Sequence, residues 1–138
     1  MSFGRKALGQ YSSVAAEAEA GYASQHRLVQ MLMEGVLSKI ATAKGQIERK
    51  EIEGKSASIS SAMAIINALK TSLDLNAGGE IAANLDDLYG YMYNRLVDAN
   101  AQNEIQALTE VSSLMLQIKS GWDAMPDDIK NSSPSSSG

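Results

Sequence analysis

Apolar residues recur every three or four positions along most of the chain, and the interruptions in that rhythm divide it into four segments. The first runs from about Gln25 to Lys50 through Leu28, Leu32, Val36, Ile40 and Ile47, with Ser24 placed to cap it. The second spans about Lys55 to Leu75, carries Ile59, Met63, Ile66, Leu69 and Leu73 on one face, and stops at Asn76-Ala77-Gly78-Gly79. The third covers about Glu80 to Asn100 through Ile81, Leu85, Leu88, Met92 and Leu96. The fourth covers about Asn103 to Met125 through Leu108, Val111, Met115, Ile118 and Trp122. The only prolines are Pro126 and Pro134, so the strongest helix breaker is missing from this whole stretch, and no run alternates as a half-buried strand would. The pattern predicts an all-α fold, an antiparallel up-down-up-down four-helix bundle over 24–128. An N-terminal arm, 1–23, precedes it, and a Ser-rich tail, 129–138, is expected to be disordered because it has almost nothing to bury.

The stripes are broader than a two-helix seam needs. On the first helix, Leu28, Val29, Leu32, Met33, Val36, Leu37, Ile40 and Ile47 occupy about half the circumference. Contact with two bundle neighbours explains such a face, and so does an exposed apolar edge. Met31 falls outside it and is a candidate for contact with the arm. On the third helix Tyr89, Tyr91 and Tyr93 sit at alternate positions, so Tyr91 points away from the other two and all three cannot enter one core. On the fourth, Ile105 and Leu116 project together about 100° from the main cluster. Tyr91, Ile105 and Leu116 are therefore candidate partner-binding residues by helical phase. Gly35, Gly45 and Gly90 each cost on the order of 1 kcal/mol inside a helix, which suits either tight helix packing or a groove.

Composition narrows the chemistry. The 138 residues include 44% hydrophobic and 20% charged types, the proportions of one ordinary domain. No stretch is apolar for long enough to span a membrane, and the first residues lack the core of a secretory signal, so a cytoplasmic protein is expected. Twelve basic residues against 16 acidic ones give a net charge of −4, with no basic run of the kind that phosphate backbones require. Nucleic acid is not an expected partner. Without cysteine there are no thiolate sites, and with His26 as the only histidine a di-iron bundle cannot be assembled and a Ser-His-Asp triad has one place to form. His26 itself reads as a surface residue. Glu80, Asp86, Asp87 and Asp98 have no metal-ligand spacing, and Gly78-Gly79 reads as a turn with no nucleotide-loop context. No enzyme activity, metal or cofactor is expected. A plain interaction bundle that homodimerises through its surplus apolar face remains an alternative.

Two stretches go beyond composition. Gly78-Gly79-Glu80-Ile81-Ala82-Ala83-Asn84-Leu85-Asp86-Asp87-Leu88-Tyr89-Gly90-Tyr91-Met92, and the earlier His26-Arg27-Leu28-Val29-Gln30-Met31-Leu32-Met33-Glu34-Gly35, closely resemble the flagellar secretion chaperone FliS family, and Glu110-Val111 to Trp122 is similar to its final helix. The resemblance runs from about Tyr11 to Met125. It implies a helical-bundle chaperone that binds the C-terminal segment of flagellin in the cytoplasm, prevents premature polymerisation and presents flagellin to the type III export apparatus, whose gate includes the membrane protein FlhA. It also implies roles for an aliphatic residue and a tyrosine three positions later in the arm, which here are Leu8 and Tyr11. The chain departs from the family pattern at Gln25, where a helix-initiating proline is expected, and at Met33, where an aromatic is common.

Overall fold

The computed structural model describes residues 25–125, apart from the side chains of 76 and 77. The arm with Leu8 and Tyr11, the cap expected at Ser24, and the tail lie outside the described residues. Within them, four helices form: α1 (Gln25–Glu48), α2 (Ile52–Thr71), α3 (Leu75–Gln102) and α4 (Ile105–Ala124). α1 packs on α2, α2 on α3, α3 on α4 and α4 back on α1, which closes a ring. Each seam carries a polar contact between the early part of one helix and the late part of its neighbour. These are Gln46 with Ser58, Lys70 with Asp86, Lys55 with the carbonyl of Asn100, Arg95 with Glu110, and His26 with Trp122.

The helical stripes of the sequence become one core. Met33, Val36, Ile40, Ile59, Ile65, Ile66, Leu69, Met92, Leu96, Leu108, Val111 and Met115 are all but sealed from solvent. Burying a side chain of this size is worth roughly 1.5–3 kcal/mol, so the ring is held mainly by this apolar layer. Tyr89 joins the core, whereas Tyr91 and Tyr93 stay exposed. Burial pushes the Tyr89 phenol up to about 12.

The turns differ from the expected ones in an instructive way. α1 ends at Glu48, where Lys50 adopts φ 60°, and the amides of Lys50 and Glu51 donate to the carbonyls of Ile47 and Gln46. This is a Schellman motif built on lysine, stabilised by its own backbone hydrogen bonds rather than by a permissive glycine. At Gly54 a Cβ would meet the movable amide end of the Gln46 side chain, at 2.5 Å from Nε2. α3 ends with Asn103 at φ 54° and the Glu104 amide on the Ala99 carbonyl, a left-handed end on a residue that tolerates it better.

At the α2–α3 corner the expectation is corrected. α2 stops at Thr71 instead of reaching Leu75, and 75–78 belongs to a helical turn that meets the main body of α3 at a kink. Gly79 makes the kink with φ 58° and ψ −132°, a conformation open in practice only to glycine. No atom lies within 4 Å of a Cβ built there, so backbone strain alone opposes substitution. Gly79→Ala is therefore expected to lower stability by about 1–3 kcal/mol without altering core packing, measured as a shift of the urea midpoint at unchanged m-value.

Candidate functional site

Among the described residues Ile52, Leu75, Ile81, Tyr91, Tyr93, Val97, Leu116 and Met125 stay exposed outside the sealed core, and Leu116 and Tyr91 are the two that helical phase singles out. Leu116 is 55% exposed on the outer face of α4. It borders a shallow, open depression lined by Lys119, Ser120, Asp123 and Ala124. The polar rim of that depression ties α4 to α1: Gln30 Nε2 donates to Asp123 Oδ1 at 2.6 Å, Lys119 Nζ lies 3.7 Å from Glu34, and Lys119 also bridges Asp123 at 2.7 Å. The Lys119 ammonium and the Gln30 amide hold the Asp123 carboxyl below the usual carboxylate range.

Tyr91 is exposed on α3, beside its seam with α4. Its hydroxyl donates to Glu110 Oε2 at 2.6 Å, while Arg95 Nε donates to Glu110 Oε1 at 2.8 Å. Arg95 also reaches Asp98 at 3.3 Å. The hydroxyl bond ties the exposed Tyr91 ring to Glu110 across the α3–α4 seam. These bonds also lower the Glu110 carboxyl, through the Tyr91 hydroxyl first and the Arg95 guanidinium second, and the same contact raises the Tyr91 phenol.

The structure thus places the phase-predicted residues on two different edges. Tyr91 lies on α3 beside the α3–α4 seam, Leu116 lies on α4 towards α1, and Ile105 is half-buried at the first residue of α4, about 16 Å along the axis from Leu116. Leu8 and Tyr11 lie outside the described residues. Gly90 has no tight neighbour: a Cβ there would meet Lys70 Cε at 3.7 Å, an ordinary contact.

His26 overturns the surface reading. It is buried, its Nε2 donates to the Trp122 carbonyl at 3.0 Å, and the Trp122 indole donates to the His26 carbonyl at 3.1 Å. The two rings stack with centroids 5.0 Å apart at 17°. The imidazole caps an end carbonyl of α4, and the clasp joins residues 96 apart in sequence. Heptad spacing from Met33 and Ile40 was the signal that pointed inward. Lys55 was also missed: its ammonium is buried and donates to the Asn100 carbonyl at 2.8 Å, beside Ser56 on the Asn100 side chain.

Among the described residues no three potential metal ligands gather, and no helix is long and apolar enough to cross a membrane. What the surface offers is contact: apolar side chains flanked by fixed polar groups.

Comparison with known proteins agrees with the family likeness. The family model described as flagellar protein FliS matches residues 7–128. The flagellar secretion chaperone FliSB of Pseudomonas aeruginosa is 47% identical over 123 residues, which cover 89% of this chain and 98% of that protein. The flagellar secretion chaperone FliS of Salmonella typhimurium is 41% identical over 113 residues, 81% of this chain and 84% of the relative. That of Vibrio cholerae is 35% identical over 127 residues, 92% and 93% of the two chains.

The depressed Glu110 carboxyl makes a pH prediction. Its contribution is present above the ordinary glutamate value of 4.5 and is lost as pH falls through its lower folded-state value. Thermal melts of wild type and Glu110→Gln should therefore differ at neutral pH and converge as pH drops below 4.5.

Proposed function

The chain belongs to the FliS family of flagellar secretion chaperones, and from that premise we propose that it binds the C-terminal segment of flagellin in the cytoplasm, keeps it from polymerising early and hands it to the export gate protein FlhA. The work is binding rather than catalysis. A segment without a fold of its own must bury its apolar positions on a ready-made surface, and the ordering cost is offset only by a large contact area.

The observation that carries this reading is the distribution of exposed apolar side chains. Leu116 stands on α4 beside its seam with α1 and Tyr91 on α3 beside its seam with α4, while the core beneath them is closed. A client that wraps the bundle can use both edges, whereas a compact ligand would need them together. Ile105 adds a half-buried aliphatic contact at the start of the same helix. The Tyr91 ring is already held towards Glu110 by its own hydroxyl, which reduces the entropy lost on binding. The arm supplies Leu8 and Tyr11 as two further anchors, in a segment too short to form a core.

The arm is tested by titrating Leu8→Ala/Tyr11→Ala in the full chain against a peptide of the flagellin C-terminal segment by calorimetry. A loss of about 1–2 kcal/mol, roughly five- to thirtyfold in Kd, is expected for truncating real anchors. A change below about 0.5 kcal/mol removes the arm from the binding site.

A further inference from the structure

One unbroken apolar row crosses the α2–α3 corner. Every fourth residue from Ile65 to Tyr89 is apolar, through Leu69, Leu73, Ala77, Ile81 and Leu85. On a straight helix such spacing makes a continuous ridge. In the bent chain Ile65, Leu69 and Tyr89 are sealed and Leu73 and Leu85 pack against the core, yet Ile81 is 74% exposed.

The helical course from Ile52 to Gln102 is broken only at 72–74 and at Gly79. Ser72 already lies in the right-handed helical region with its amide on the Ala68 carbonyl, and the Gly78 amide donates to the Asp74 carbonyl at 2.8 Å. No proline stands in this stretch. Both glycines of the corner belong to the bend. Gly79 supplies φ 58° and ψ −132°, and at Gly78 an added Cβ would lie 2.5 Å from the Ala82 Cβ. A straight helix needs neither, since its Cβ atoms four residues apart stand about 5–6 Å from each other and glycine only weakens it.

We propose that this corner is a hinge through which two copies of the chain exchange their α3–α4 hairpins. In the exchanged pair 72–79 is helical, α2 and α3 run on as one helix, and α3–α4 of one copy takes its place on α1–α2 of the other. Every seam of the bundle is kept: Lys70 meets Asp86 and Ser56 meets Asn100 as before, now between chains. A foreign segment would have to imitate these seams, whereas a second copy carries them. Where the two long helices cross, their apolar rows meet and Ile81 gains the cover it lacks in the bent chain. The α1–α4 seam beside Leu116 is then built from both copies, and this holds whether or not flagellin is the client.

The full chain is tested by refolding it from urea at about 1 mM and at about 10 µM and sizing the products by gel filtration with light scattering. The chain has no cysteine, so Ser56→Cys/Asn100→Cys, at side chains 3.2 Å apart across the α2–α3 seam, reports on exchange when joined by a short bis-maleimide. At the higher concentration the wild type is expected to give a dimer that survives overnight dilution, because separation requires both bundles to open, and that is cross-linked between chains. Gly78→Ala/Gly79→Ala should raise the dimer share at the lower concentration at least about tenfold. Leu75→Pro should abolish the dimer with helicity unchanged, since proline suits the first residue of α3 and breaks a straight helix. Absence of a wild-type dimer at the higher concentration overturns the proposal. So does a dimer that separates at once on dilution or is linked only within chains, which is a surface contact. A folded double-alanine chain that stays monomeric, or a Leu75→Pro chain that dimerises as the wild type does, overturns it too. Should the double-alanine chain not fold, the wild type against Leu75→Pro decides alone.

Discussion

The bundle depends on bringing α1 and α4 side by side. They are the helices farthest apart in sequence among those described, and no turn places them together. Once they meet, every helix has two neighbours and the shared apolar layer is enclosed. The closure is signed by the His26–Trp122 clasp, two hydrogen bonds and a ring stack, with Glu34, Lys119, Gln30 and Asp123 continuing the seam outward. Each clasp bond is worth only about 1 kcal/mol net. Its value lies in register, because a shift of α4 by one turn would strand an indole and an imidazole without their carbonyls.

A core closed in this way sets the terms for binding. With Val36, Ile66, Met92 and Leu108 sealed inside, the described core keeps its apolar groups to itself, and the rims of the helices are what it offers a partner. The rims are where apolar side chains are paired with fixed charges: Tyr91 with Glu110 and Arg95, Leu116 beside Lys119 and Asp123. Such a surface suits a long, pliant client that reads several edges at once.

The sequence displayed the helices through their stripes, and the core residues lie where the 3.6-residue period puts them, since burial on a helix is a matter of phase. It displayed the family through the Gly78 to Met92 block. Turn geometry was harder to read. Lys50 takes a left-handed conformation that its type seldom adopts, and the α2–α3 break falls at Thr71 because the Gly79 kink lets 75–78 coil before it. His26 was legible in principle through its heptad relation to Met33, but an imidazole at a helix start carries no sign of a tryptophan 96 residues away. Ile81 misleads in the opposite sense: its phase is that of the core, yet it is 74% exposed.

The central claim, that this bundle folds a pliant client onto its edges, is tested most directly by calorimetry of the full chain with the C-terminal flagellin segment at several temperatures, paired with the peptide's circular dichroism. The account predicts saturable one-to-one binding, a negative heat-capacity change and helix gained by the peptide. Absence of binding at tens of micromolar by a folded chain, or binding with no heat-capacity change and no gain of helix, would contradict it.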